Sequence, residues 1–261
     1  MTQKYGFNVP KILDNHFVFG GLSTLDLTIL NSGGQWDKFL PTYEAQNNGY
    51  ETYGCTIWGT QNVIETLQKF IDKSDHNYSE RYNYNIMEIN PPGGDIQDVC
   101  ESIRKYGLVN EAILDTPNTY EEFITPRPMT EEYLDVGSKW LKNWQFNHEW
   151  VFDMNASMDV KISAMKKALE YSPLGVSVTA WYEEDGIYID KGEPNNHWCE
   201  CYGYYESNGQ TFWKIFDSYD NSLKILHPNH HILVAKKIQL KRLEKVSLCN
   251  RLKKWYNSLY V

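Results

Sequence analysis

The chain has 261 residues, 41% of them hydrophobic and 23% charged, a globular composition that excludes a disordered protein. No stretch reaches the roughly 18 apolar residues of a membrane span, and the first residues lack the apolar run of a signal peptide, so a cytoplasmic protein is expected. Net charge is −9, yet residues 236–261 carry eight Lys/Arg against Glu244 alone, which leaves residues 1–235 at −16. So acidic a body argues against general nucleic-acid binding.

Five cysteines, Cys55, Cys100, Cys199, Cys201 and Cys249, make an odd number and read as free thiols in a reducing compartment. The 19 Tyr and 9 Trp fit either a core and its rim or amphipathic surfaces for an extended ligand.

In chain order, residues 1–45 show little periodicity and read as loops and short strands, with a turn at Asn31-Ser32-Gly33-Gly34. From Cys55 the apolar positions Ile57, Thr60, Ile64, Leu67 and Ile71 recur at helical steps. That predicts a helix of about four turns with Cys55 at its N-terminal end. Asp95 opens a second helix with Ile96, Val99, Cys100 and Ile103 on one face and Gly107 as its stop. A third helix is predicted through Tyr133, Gly137, Trp140, Leu141 and Trp144, and a fourth from Asp159 to Tyr171, before Pro173. Beyond Pro173 the period becomes two. Strands are predicted around Val176–Ala180, His197–Gly203, Thr211–Phe216 and Ile232–Ile238, with Asn208-Gly209 as a hairpin turn. Helices first and strands later make an α+β protein.

A thiol at a helix N-terminus is chemically distinctive, because the positive end of the helix favours the reactive thiolate. His197 lies at the start of a predicted strand after Pro194-Asn195-Asn196. Asp217 ends the next strand, so a hairpin would set a carboxylate beside the imidazole and fix its tautomer.

Several segments, in order, carry a family resemblance. They are Gln46…Gly54-Cys55…Trp58, Asp95 to Gly107-Leu108-Val109-Asn110-Glu111, and Leu174-Gly175-Val176-Ser177-Val178. Asn196-His197-Trp198…Tyr202-Gly203-Tyr204 and Phe212–Tyr219 complete the set. Together they resemble the papain-like cysteine peptidases over residues 41–238, and the wording at Gln46–Asn48 and Asp217–Asp220 is most similar to bacteriophage-encoded members. The resemblance implies a helical half carrying the nucleophile, packed on a sheet or barrel half, with the site in the cleft between. It implies Cys55 as nucleophile, His197 as base, Asp217 in the place of the family's Asn, and Gln46 as the oxyanion-hole side chain. Gly93, Gly94, Trp58 and Asn196 become candidate substrate contacts, and no cofactor or metal is implied. Gln46 stands nine residues before Cys55 where the family has six, so Asn47 and Asn48 are alternatives.

The domain reading is an N-terminal extension (1–40), a catalytic domain (41–238, with halves at about 41–158 and 159–238) and a basic amphipathic tail (239–261). Only about 40 residues precede the catalytic segment, so the full-length chain is expected to be active without cleavage. The tail reads as a terminal helix docked on the acidic body, or as a tether to an anionic surface or virion component. Three readings compete with a peptidase: a silent papain-shaped binding protein, an acyl transferase using the same triad, and a zinc site at His197, Cys199 and Cys201.

Overall fold

The computed structural model describes residues 6–13, 16, 18 and 28–243. The first half holds β1 (Phe7–Asn8), α1 (Cys55–Asp72), α2 (Glu80–Ile86), β2 (Gly94–Asp95), α3 (Ile96–Tyr106), α4 (Tyr120–Phe123) and α5 (Glu131–Leu141). The second holds β3 (Trp144–Trp150), α6 (Met158–Leu169), β4 (Leu174–Val178), β5 (Glu183–Glu184), β6 (Ile187–Tyr188), β7 (His197–Ser207), β8 (Gln210–Phe216), β9 (Leu223–Leu226) and β10 (Ala235–Arg242). This is the expected α+β arrangement.

α1 is the central element. It packs on β7, β4 and β10 to one side and on α2 and α3 to the other, so even its polar face is buried. Gln61 and Glu65 illustrate the consequence. The Gln61 amide donates to Asn83 Oδ1 of α2 at 3.2 Å, and Glu65 Oε1 accepts the Tyr78 N–H at 2.8 Å. Each buried polar group on this face that pairs avoids a desolvation cost of ~1–3 kcal/mol.

The helix reaches the sheet through Gly59. A Cβ there would lie 2.9 Å from Trp198 Cδ1 and 3.0 Å from Cys199 Cα, so the missing side chain permits the α1–β7 approach. α3 begins as the sequence predicts, with Asp95 accepting the Gln97 N–H at its N-cap.

The main sheet runs β3-β10-β4-β7-β8-β9-β6-β5, antiparallel throughout except where β6 meets β9. The β7–β8 hairpin turns at Asn208 and Gly209, both at positive φ (51° and 75°), as a two-residue primed turn requires.

Three boundaries differ from expectation. The third helix stops at Leu141, and Trp144 instead begins β3, whose Trp144, Phe146 and Trp150 are buried. β3 pairs along β10, with Phe146 opposite Leu240 and Trp150 opposite Lys236. β3 therefore joins the sheet from within the half read as helical, and α6 lies in the half read as β. β10 runs on to Arg242, so Lys236, Lys237, Lys241 and Arg242 of the basic segment are strand residues. The rest of that segment, 244–261 with Cys249, lies outside the described residues.

Candidate active site

Cys55 is the first residue of α1, and its thiol is fully buried. The backbone N–H groups of Thr56 and of Trp198, the residue after His197, both point at the sulfur and favour its anion. The α1–β7 contact thus brings the start of the helix to the start of the strand that carries His197. Burial nevertheless dominates and pushes the Cys55 thiol well up, assisted by the carboxylates of Asp217 and Glu51.

His197 Nε2 lies 2.6 Å from Asp217 Oδ1, with both side chains fully buried. Asp217 follows the last residue of β8, and the β7–β8 hairpin sets it beside the imidazole, as the sequence predicts. Two aromatic rings meet the imidazole edge-on, Trp181 at 5.6 Å and Tyr219 at 5.7 Å between centroids. Burial raises the Asp217 carboxyl, but His197 and then Lys224 outweigh it and hold it below the ordinary range. Lys224, which sequence reasoning missed, is fully buried with Nζ 3.1 Å from Asp217 Oδ2. Its only sequence signal is a charge at an inward position of β9, between exposed Leu223 and half-buried Ile225.

Gln46 is buried and ties the segment before Cys55 to Ser218, the residue after Asp217. Its N–H donates to Ser218 O at 2.9 Å, and its Oε1 accepts from Ser218 Oγ at 2.7 Å. That leaves Nε2 as the donor, 3.5 Å from Glu51 Oε1. Glu51 also accepts the Tyr53 N–H at 2.7 Å and the Tyr219 hydroxyl. Tyr53 takes a positive φ of 55° two residues before Cys55.

Of the other site residues read from sequence, Gly93, Gly94 and Asn196 are brought together by one segment, residues 6–8. β1 pairs in parallel with β2, Phe7 opposite Gly94 and Asn8 opposite Asp95. Gly94 N–H donates to Gly6 O at 3.0 Å, Asn8 Nδ2 to Gly93 O at 2.7 Å, and Phe7 N–H to Asn196 O at 3.4 Å. The Phe7 ring stacks on Trp198 at 5.8 Å. The fit is tight: a Cβ on Gly6 would fall 2.1 Å from Tyr53 O, and one on Gly93 would fall 1.8 Å from Gly6 O.

Trp58 lies apart from them. Only 1% exposed, it stacks on Phe123 and underlies Gly54, where a Cβ would lie 2.5 Å from its ring. It supports the loop before Cys55 from beneath. Cys199 and Cys201 are buried in the core, where Cys199 Sγ approaches Val176 O at 3.9 Å and Cys201 Sγ approaches Gly203 O at 3.5 Å.

Among the described residues, no helix is long and apolar enough to cross a membrane. No protein-family model and no curated protein matches the sequence. Solved structures do match. Digestive procathepsin L2 from the larval midgut of Tenebrio molitor has a TM-score of 0.59 at 14% identity, over 91% of this chain and 78% of that one. The bromelain protease of Ananas comosus, solved with the E64 inhibitor, gives 0.57 at 18%, over 80% and 98%. The proform of the ragweed pollen cysteine protease Amb a 11 gives 0.57 at 14%, over 83% and 67%. At these identities the likeness speaks to architecture, and it does so plainly: the chain is built on the papain-like fold.

Proposed function

We propose that this chain is a cysteine peptidase that cleaves peptide bonds through Cys55, His197 and Asp217. The observation that carries this reading is the buried His197–Asp217 bond, at 2.6 Å, beside a helix-terminal thiol that the next residue's N–H already contacts. The groove adds support, because its polar contacts to Gly6, Phe7 and Asn8 are those by which backbone recognises an extended peptide.

With Nε2 held by Asp217, Nδ1 of His197 is the nitrogen that exchanges a proton with Cys55. The thiolate attacks the carbonyl carbon, and the oxyanion is held by the Cys55 N–H and the Gln46 amide. His197 then protonates the leaving amine, and next activates water to release the acyl group. An amine in place of that water would make the enzyme a transferase. The resemblance at Gln46–Asn48 and Asp217–Asp220 favours a phage-encoded peptidase. A tether to an anionic surface would rest on residues 244–261.

As described, the site is closed. Residues 6–8 fill the groove, and burial holds Cys55 as the neutral thiol, so this is a latent arrangement that reacts once the segment lifts away. Iodoacetamide labelling read by mass spectrometry tests the reading. Cys55 should be modified ahead of Cys100, Cys199 and Cys201, and His197→Ala should slow it by about a hundredfold. Gly6→Ala, whose new Cβ has no room against Tyr53, should accelerate it by on the order of tenfold. Preferential labelling of Cys100 or Cys199 would remove Cys55 from its role.

A further inference from the structure

Asp217 uses both of its oxygens. Oδ1 meets His197 Nε2 at 2.6 Å, while Oδ2 meets the ammonium of Lys224 at 3.1 Å, and all three side chains are fully buried. We propose that Lys224 is a positioning residue for His197, pairing with Asp217 so that the imidazole faces a carboxylate whose charge an ammonium partly offsets. The proposal rests on the peptidase reading above and names a fourth member of its site.

The local fold explains the pairing. β8 and β9 are antiparallel neighbours, with Phe216 opposite Leu223 and Ile215 opposite Lys224. Lys224 therefore lies level with Ile215, two residues before Asp217, and its long side chain spans that diagonal to reach the carboxylate. Asp220, within that turn, is pinned by the Ser222 N–H at 2.9 Å and gives Lys224 Nζ a second carboxylate at 2.6 Å. Ser222 Oγ lies 3.0 Å from the same nitrogen. The ammonium also sits 5.2 Å from the centroid of Trp181 and 5.6 Å from that of Tyr188. Trp181 is the same ring that meets His197 edge-on at 5.6 Å, so one indole fixes both the base and the lysine. The remaining titratable groups around the pair are Tyr43, which senses Asp217, Asp220 and Lys224, the thiols of Cys55 and Cys199, and Glu51 with Tyr219 on the far side of the imidazole.

The physical consequence concerns how firmly His197 holds its proton. A buried carboxylate at 2.6 Å with no counter-charge stabilises imidazolium strongly, and an acid that grips its proton protonates a leaving amine poorly. An ammonium on the other oxygen, shared with Asp220, offsets part of that field. A carboxylate can then orient the ring as a neutral amide would, without trapping the proton.

The test is the titration of the His197 ring resonance by NMR in the full-length chain, which needs no access to the groove. Lys224→Met should move the midpoint up by about one pH unit relative to the parent. Asp217→Asn should move it down, and the double substitution should return it close to the parent. Asp220→Asn, at a side chain 53% exposed, should give a smaller downward shift and serves if Lys224→Met does not fold. A midpoint unmoved by Lys224→Met, or by Asp220→Asn where the former is unfolded, overturns the proposal. Iodoacetamide labelling of the same proteins separates the two ideas. If the midpoints shift as stated while Cys55 is not the preferred thiol, the electrostatic pair stands and the peptidase reading falls. If Cys55 is preferred and the midpoints stay fixed, Lys224 is structural only.

Discussion

Two corners of one sheet bury a lysine, and they treat it in opposite ways. At the β8–β9 corner, burial pulls Lys224 down, but Asp217 and Asp220 outweigh it and hold the amine above the ordinary lysine value. At the β3–β10 corner, burial wins. Lys236 is pushed down to about 8, because its near partners are Gln97 Oε1 at 2.7 Å, His148 Nδ1 at 3.1 Å and the Trp150 ring at 3.7 Å. None of these is an anion. Its neighbour Lys237 has Glu149 Oε1 at 2.5 Å, and even there burial keeps the amine below its usual value. Burial and carboxylates oppose each other: the single carboxylate at Lys237 does not outweigh burial, and the two at Lys224 do. The corner with two carboxylates is the one that adjoins His197.

The sharpest way to break this comparison is to remove one partner at the first corner. Lys224→Met leaves Asp217 buried with one cation fewer, which should cost ~3–5 kcal/mol of stability at pH 7 in urea denaturation. Asp217→Asn combined with Lys224→Met should recover most of that loss, since the only charge left without its partner is that of half-exposed Asp220. The pH dependence follows with a definite sign. The Asp217 carboxyl is depressed in the folded state, so its contribution is complete above the unfolded value near 3.9 and is lost as pH falls through the folded value. Parent and double variant should therefore differ in how stability declines below about pH 4. Identical acid limbs would show that the pair holds no net energy.

The first corner was half legible in the sequence. Cys55, His197 and Asp217 could be placed because each sits at the edge of a periodic run: the helical spacing from Ile57 to Ile71, and the alternations that begin at His197 and end at Phe216. Lys224 could not, since a lysine between leucine and isoleucine in a short strand reads as a solvent-facing position. β3 was hidden because Gln145, Asn147 and Glu149 alternate with aromatics just past a helix whose own spacing carries on to Trp144. The occupied groove was hidden for a third reason. Phe7 finds its partner at Gly94 and its carbonyl acceptor at Asn196, and a three-residue segment with no periodicity carries no trace of contacts so far along the chain. The basic segment misled by composition. Lys236 and Lys237 belong to that run of charge by sequence, yet both are buried in β10.

The second corner gives the smaller effect and the cleaner linkage. Lys236 lines a cavity of about 520 Å³ with His148 and Glu101, so it can exchange protons with solvent. Burial, aided by Lys236, drives His148 down to about 3, so the ring is neutral, accepts from the lysine at Nδ1 and donates through Nε2 to Glu101 at 3.0 Å. For a lysine depressed in the folded state, the folded protein sheds its proton near pH 8 while the unfolded chain keeps its own to about 10.5. Between those values the unfolded chain binds more protons, so this residue makes stability rise with pH, the reverse of a lysine held in a salt bridge. Lys236→Met removes the term. Whatever the offset between variant and parent at pH 7, it should shift in the parent's favour by up to ~3 kcal/mol by pH 10.5. Urea denaturation of both proteins at pH 7, 8, 9 and 10.5 reads that shift directly. A constant offset across the series would mean that Lys236 keeps its charge as firmly as Lys224 does, and the contrast between the two corners would vanish.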